Sequence, residues 1–227
     1  MKRAEAKARS GRAADRPRRP APRPKRPDTY HHGALREALL QAAERILERD
    51  GIQGLTLRAA AREAGVSHAA PKNHFGDMTG LLSDLAAVGF ERFVAMLREN
   101  AHDGDSPASR MQAIGAGYVR FARTHPDLFL LMFRSERLDM TRSALRTAVG
   151  ASLQVLSSAV GEHRGEPVEA QLTLPQAAQI VRAWSLVHGF VMLLLDGRLM
   201  PLLARLHPGA DAETLLAEVF SGAISKR

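Results

Sequence analysis

From Gly33 onward, apolar side chains recur every three or four positions, and no stretch of strand length alternates one by one. That period belongs to amphipathic helices and argues against a sheet. The first run is Leu35, Ala38, Leu39, Ala42, Ala43, Ile46 and Leu47, and Gly51 stops it. Two short helices are expected next. One spans 57–64, capped by Thr56 and ended by Gly65; the other is capped by Ser67 and runs to about His74. Asp77 is placed to cap a longer helix to about Glu99, with Leu81, Leu85, Val88, Phe90, Phe93 and Leu97 among its apolar positions.

The same period continues through Met111, Ile114, Tyr118 and Phe121, after a turn at "HDGDSP". "LFLLMF" at 128–133 predicts a buried helical turn or two. Leu145, Val149, Leu153, Leu156 and Val160 mark another helix, and Pro175 opens a strong one through about Arg198. Residues 212–224 form the last. The expectation is an all-α chain of about nine helices.

The formal charge of +8 is not a property of this helical body. Residues 1–27 carry 11 Lys and Arg against Glu5 and Asp15, which is +9 and leaves −1 for the remaining 200 residues. Five of the twelve prolines lie in the same segment. Such a composition cannot bury apolar surface and predicts a disordered tail. It is either a dispensable solvated segment or an arm that adds phosphate contacts beside a DNA-binding domain.

Cysteine is absent, so disulfides and thiolate metal sites are excluded. No run reaches the roughly 18 consecutive apolar residues of a membrane helix. The richest, "GFVMLLL" at 189–195, is closed by Asp196. The N-terminus lacks the apolar centre of a secretory signal. The chain reads as cytoplasmic, with no membrane partner. No His-Glu-x-x-His, phosphate-binding glycine loop or Gly-x-Ser-x-Gly is present, and His102, His125 and His163 are scattered near turns. An enzyme, a cofactor and a metal site are therefore not expected.

The stretch "AAAREAGVSHAAPKNHFGD", 59–77, carries the functional signal. Two short helices joined at Gly65-Val66 make a helix-turn-helix, with glycine supplying the left-handed turn. The second helix presents Ser67, His68, Ala69, Ala70, Lys72, Asn73 and His74. Small residues let the backbone approach base edges, Ala or Pro can touch a thymine methyl, Asn can read adenine, and His or Lys can donate to phosphate or guanine. Tyr30 beside the first helix, Thr56 and Arg58 complete the candidate DNA-contact set. Pro71 falls near the fourth position of a helix capped by Ser67.

Residues 39–82 resemble the N-terminal DNA-binding domain of TetR/AcrR-type bacterial regulators. The resemblance rests on the Ala-rich first helix, "DG" at 50–51, "LTLR" at 55–58, "AGVS" at 64–67, and "HF" followed by Asp77 and Leu81-Leu82. "YHHGALREALL" at 30–40, "HPDLFLLMF" and "AWSLVHGFVMLLLDGRL" are similar to one subgroup, marked by Trp184, His188 and Gly189 in a Trp-x-x-x-His-Gly pattern.

The resemblance implies a basic tail, 1–27, a DNA-binding domain, 28–77, and a ligand-binding and dimerisation domain, 78–227. It implies a homodimer through helices 175–198 and 212–224, bound to a palindromic double-stranded DNA operator. The regulator is most often a repressor, released by a small apolar or amphipathic effector. Tyr118, Phe121, Phe129, Met132, Phe133, Leu153, Trp184, His188 and Met192 are the expected pocket residues; an aromatic and methionine set of this kind is equally compatible with ordinary core. Trp184 and His188 share a helical face, as a packed indole with a hydrogen-bonded histidine or as pocket lining. The chain departs from the family pattern at two positions. Lys72 stands where a phosphate-contacting tyrosine is common, and Met78 where a lysine is favoured. Those departures keep two other readings open: a sensor of the same fold with weakened DNA binding, and a tail-driven non-specific DNA binder.

Overall fold

A computed structural model describes residues 29–99, 101, 106–166, 168–169 and 171–224. The tail, 1–27, and His102 lie outside the described residues, as does the side chain of Tyr30. The described residues form ten α-helices, one 3₁₀ turn at Ser135–Arg137 and no strand. The helices are α1 (Thr29–Gly54), α2 (Leu57–Glu63), α3 (Ala70–Phe75), α4 (Met78–Arg98) and α5 (Pro107–Thr124). They continue with α6 (Pro126–Met132), α7 (Ser143–Arg164), α8 (Leu174–Leu195), α9 (Met200–Leu203) and α10 (Ala212–Ile224).

Most boundaries follow the local chemistry. Gly51 breaks the first helix with φ 67°, and one further turn reaches Gly54. Ser106 caps α5 by accepting from the Ser109 N–H at 3.1 Å. Thr173 and Gln176 form a reciprocal capping box on α8. Two expectations are corrected. The long helix expected to reach Arg198 ends at Leu195, because Gly197 takes φ 73°. Beyond it, Met200–Leu203 forms a short helix that periodicity did not reveal.

The recognition helix begins at Ala70 rather than after Ser67. Its N-terminal flank is Ala69, with no side-chain cap, and Pro71 lies in the first turn. A helix starting at His68 would need an N–H from residue 71 to reach the Ser67 carbonyl, and proline has none. Ser67 instead shapes the preceding turn, its hydroxyl accepting from the Ala69 N–H at 3.3 Å.

α4 organises the interior. It packs on α5, α6 and α7 on one side and on α1 and α3 on the other. Leu81, Leu85 and Ala86 are wholly buried, and one apolar core runs from Leu39 in α1 to Phe220 in α10. At the N-terminus of α4 the backbones nearly touch. A Cβ on Gly80 would stand 2.0 Å from the Phe75 carbonyl oxygen, so only glycine lets α4 seat against α3.

Two buried polar residues follow. The Ser83 hydroxyl donates to the Thr79 carbonyl at 2.7 Å and accepts from the Asp139 N–H at 2.8 Å. Asp84, 4% exposed, accepts from Arg36 of α1 at 2.7 Å and from Arg142, just before α7, at 2.9 Å. The Arg36 guanidinium also lies 5.9 Å from the Phe75 ring centroid, within cation–π range. Asp84→Ala is expected to cost about 2 kcal/mol, below the full penalty for a buried pair because both arginines are partly exposed. Urea unfolding measures it.

Candidate functional site: a helix-turn-helix face and an apolar cavity

The helix-turn-helix is held by small side chains and a glycine turn. Ala60 and Ala61 of α2 are fully buried, and Gly65 takes φ 67°. The Gly65 N–H reaches the Arg62 carbonyl at 3.1 Å, and the Val66 N–H reaches that of Ala61 at 3.0 Å. Thr56 caps α2, its hydroxyl accepting from the Ala59 N–H at 3.0 Å. Phe75 is buried and pins α3 to the core.

The solvent face of this unit carries Thr56, Arg58, Arg62, Ser67, His68, Ala69, Lys72 and Asn73, all exposed. Among the described residues, Arg58, Arg62 and Lys72 are in no ion pair, whereas Arg45 and Arg49 are engaged by Glu63. The expected set changes in two places, Ala70 and His74. Ala70, 9% exposed, points inward and packs in the core. Pro71 is also buried and offers no methyl-contact surface. His74 is half-buried beside Phe75. α3 packs on α2 and α4, and Ala70 and Phe75 lie in the packed core. Arg62 was not singled out in the sequence; its signal was its position, one turn after Arg58. Met78 is half-buried against the core rather than displayed.

The second site is a cavity of about 440 Å³ bounded by α4, α5, α7, α8 and α10 and by the segment after α6. Of the expected residues, Tyr118, Met132, Phe133, Leu153, Trp184 and His188 line it. Phe121 and Phe129 do not. Both are fully buried behind the wall, with Phe121 edge-on to Phe93 at 5.1 Å and Phe129 edge-on to Tyr118 at 5.7 Å. Met192, one turn beyond His188, packs against the core instead. The rest of the lining includes Phe90, Phe93, Leu97, Met111 and Ile114, which the sequence marks only as helical core positions.

Trp184 is 41% exposed, so its indole is not a packed core ring. Met140, Leu153 and Trp184 both line the cavity and meet solvent, which places them at its mouth. Deeper in, the Tyr118 hydroxyl and His188 Nδ1 are 2.9 Å apart. Burial pushes the Tyr118 phenol well above its usual range, and the Trp184 indole N–H donating to it offsets this only in part. Burial lowers His188. The pair is therefore a neutral phenol and a neutral imidazole at neutral pH.

Ligand atoms of Glu44, Glu48 and His125 lie within 4.8 Å of one another, the one potential metal cluster among the described residues. Glu44 already takes the Arg92 guanidinium as its counterion, and Glu48 is exposed. No metal is assigned there.

Thr56→Ala should lower stability by about 1 kcal/mol through loss of the cap, read as a shift in thermal midpoint.

Comparison with known proteins agrees with this geometry. Residues 39–85 match the family model for bacterial regulatory proteins of the tetR family. Residues 111–219 match the model of a tetracyclin repressor-like C-terminal domain. The HTH-type transcriptional regulator BetI of Burkholderia thailandensis is 32% identical over 82 residues, which is 36% of this chain and 42% of BetI. The match thus spans less than half the length of that curated relative. A Rhodococcus sp. RHA1 protein of unknown function is 33% identical, with 87% of this chain and 98% of that one covered and a TM-score of 0.68. The TetR-family transcriptional regulator PfmR of Thermus thermophilus, at 16% identity, shares the fold with a TM-score of 0.55 over 83% of this chain and 99% of its own. The chain belongs to the TetR family of bacterial regulatory proteins.

Proposed function

We propose that this protein is a homodimeric, ligand-responsive repressor. It holds a palindromic operator through α2 and α3 and lets go when a small apolar or amphipathic effector occupies the cavity. One observation carries the reading: a single segment, 133–142, serves both sites. Phe133, Ser135 and Met140 line the cavity, while Asp139 and Arg142 hold Ser83 and Asp84 on the first two turns of α4. Those turns seat against Phe75 of the recognition helix through Gly80. A ligand that displaces Met140 or Phe133 therefore strains the contacts that set α3. A state with α3 displaced then binds ligand better and DNA worse, which is reciprocal coupling between two sites.

Dimerisation is supported by the outer face of α8 and α10. Leu174, Val181 and Leu193 of α8 and Val219 of α10 are exposed. α8 is long and apolar enough by composition to cross a membrane, yet 22% of its most apolar window is buried. One such helix in a DNA-binding regulator reads as a subunit interface, and a two-fold interface matches a palindromic site. That role places the protein with DNA in the cytoplasm.

Within the reading head, Lys72, Arg58 and Arg62 neutralise phosphates, and Thr56 and Ser67 position the backbone beside them. His68, Ala69 and Asn73 face the base edges. The half-buried His74 contributes at the edge of this surface, and Tyr30, in the first turn of α1, is a further candidate contact.

A sensor with weakened DNA binding is the second reading, favoured by Lys72 and by the half-buried Met78.

Selection from a random DNA pool at physiological salt, with the full chain and with a chain starting at Asp28, decides between them. One palindromic site recovered by both is the expected outcome; enrichment by the full chain alone makes the basic tail part of the interface. No enriched site with either, from folded dimer, overturns the repressor reading. On the selected site, Lys72→Ala should weaken binding evenly across sequences and lower the salt slope by about one. Asn73→Ala should relax discrimination at one base pair by about 1–3 kcal/mol.

A further inference from the structure

Among the described residues, no Lys, Arg, Asp or Glu lines the cavity. Several charged neighbours of the lining in sequence are engaged or exposed. Arg110, beside Met111, is ion-paired with Glu162. Arg134, Glu136 and Arg137, which flank Ser135, are exposed and outside the lining. A carboxylate, phosphate or ammonium entering this space would leave its hydration shell without meeting a counterion, a large penalty in an apolar site.

The polar side chains that line the cavity are few: Tyr118, Ser135, Ser152, Trp184 and His188. The Ser152 hydroxyl donates to the Val149 carbonyl at 2.8 Å. The Trp184 N–H is directed at the Tyr118 oxygen. The Tyr118–His188 pair holds one proton between its two atoms. If the phenol donates to Nδ1, the imidazole keeps an Nε2–H; if Nδ1–H donates, the phenol O–H is left over. Either way one donor remains on the pair.

We infer that the effector is an uncharged, mainly apolar molecule carrying a hydrogen-bond-accepting oxygen, and that this oxygen docks on the Tyr118–His188 pair. The inference rests on the reading of the cavity as an effector site. An acceptor oxygen satisfies the remaining donor; a hydrocarbon leaves it unsatisfied, and an anion gains one hydrogen bond but stays unpaired in charge. Tyr118 and His188 are thus specificity-determining residues, while the aromatic and aliphatic wall supplies affinity without selecting among oils.

Trp184 is the single tryptophan and lies at the cavity mouth, so its fluorescence reports occupancy without DNA. The test titrates the full-length protein at neutral pH with two matched triads. One is methyl decanoate, decanoate and undecane; the other is methyl naphthoate, naphthoate and methylnaphthalene. Thermal stabilisation is the second readout. In at least one triad the ester is expected to bind at least about tenfold tighter than both the carboxylate and the hydrocarbon. Tyr118→Phe combined with His188→Leu, which removes both possible donors, should weaken the ester roughly tenfold and leave the hydrocarbon within about twofold. Ser152→Lys, which supplies a cation to the wall, should shift preference toward the carboxylate by a similar factor. Equal or tighter binding of the carboxylates by the unaltered protein overturns the inference. So does an ester advantage that survives the double substitution, and so does no binding by any member. Binding of the esters by a protein that selects no operator would sink the repressor reading and leave the ligand class standing. Operator selection with carboxylate preference would do the reverse.

Discussion

One carboxylate joins the part of the molecule that reads DNA to the part that encloses the cavity. Asp84 is almost fully buried, and each of its oxygens accepts from a different arginine, one from α1 and one from the segment before α7. A buried anion without these partners would be prohibitive. The fold therefore tolerates Asp84 only while α1, α4 and residues 138–142 stay in register. Arg36 extends the joint by lying against Phe75, the residue that fixes the recognition helix. Charge at one point thus converts the separate packing of two helical groups into a single arrangement. Apolar packing alone, being non-directional, would allow the groups to slide.

The cavity has an equally local cause. On one side, rings from α4, α5 and α6 lock edge to face: Phe93 meets Tyr118 at 4.9 Å and 85°, and Phe90 meets Phe133 at 5.6 Å and 71°. Such pairs fix ring orientation and resist collapse. On α7 and α8 stand Ser152 and Ala183, too small to reach across. A rigid wall facing short side chains leaves space. Because the space is bounded by five helices and by residues 133–140, filling it acts on the same segment that carries Asp139 and Arg142.

The helices were legible because period and caps agree: Thr56 and Asp77 each accept the hydrogen bond their position implies. The start of α3 was misplaced because Ser67 looks like a cap, while the decisive fact is the missing N–H of Pro71. Ala70, read as part of the exposed face, is buried in the core. In the cavity, Tyr118, Trp184 and His188 stood out as polar rings at helical spacing. Phe121 and Phe129 looked identical to Phe93 and Phe133 by pattern. Periodicity states which residues turn inward, not whether the inward side chains of facing helices meet or leave a gap. The Asp84 joint was not legible at all, since Arg36 and Arg142 lie 48 and 58 residues away from it.

Met78 shows how the reading head balances affinity against rigidity. A lysine there would stay solvated and add one phosphate contact, worth most at low salt. The methionine instead lies half-buried against the core at the point where α4 seats on α3. It trades a salt-sensitive, sequence-independent attraction for apolar contact at the joint between the two sites. The same joint holds Gly80, Ser83 and Asp84 within the next turns, so a stiffer contact there makes α3 follow α4 more closely. In the proposed repressor, Arg58, Arg62 and Lys72 serve phosphates from the body, and the sequence places nine net positive charges just upstream in residues 1–27. On that reading non-specific attraction is concentrated in the tail, and orientation is left to a head whose position depends on the cavity. A regulator so divided would lose specific contacts when α4 shifts and keep its electrostatic association with DNA. Release from the operator would then be a change of register on DNA before it is a departure from it.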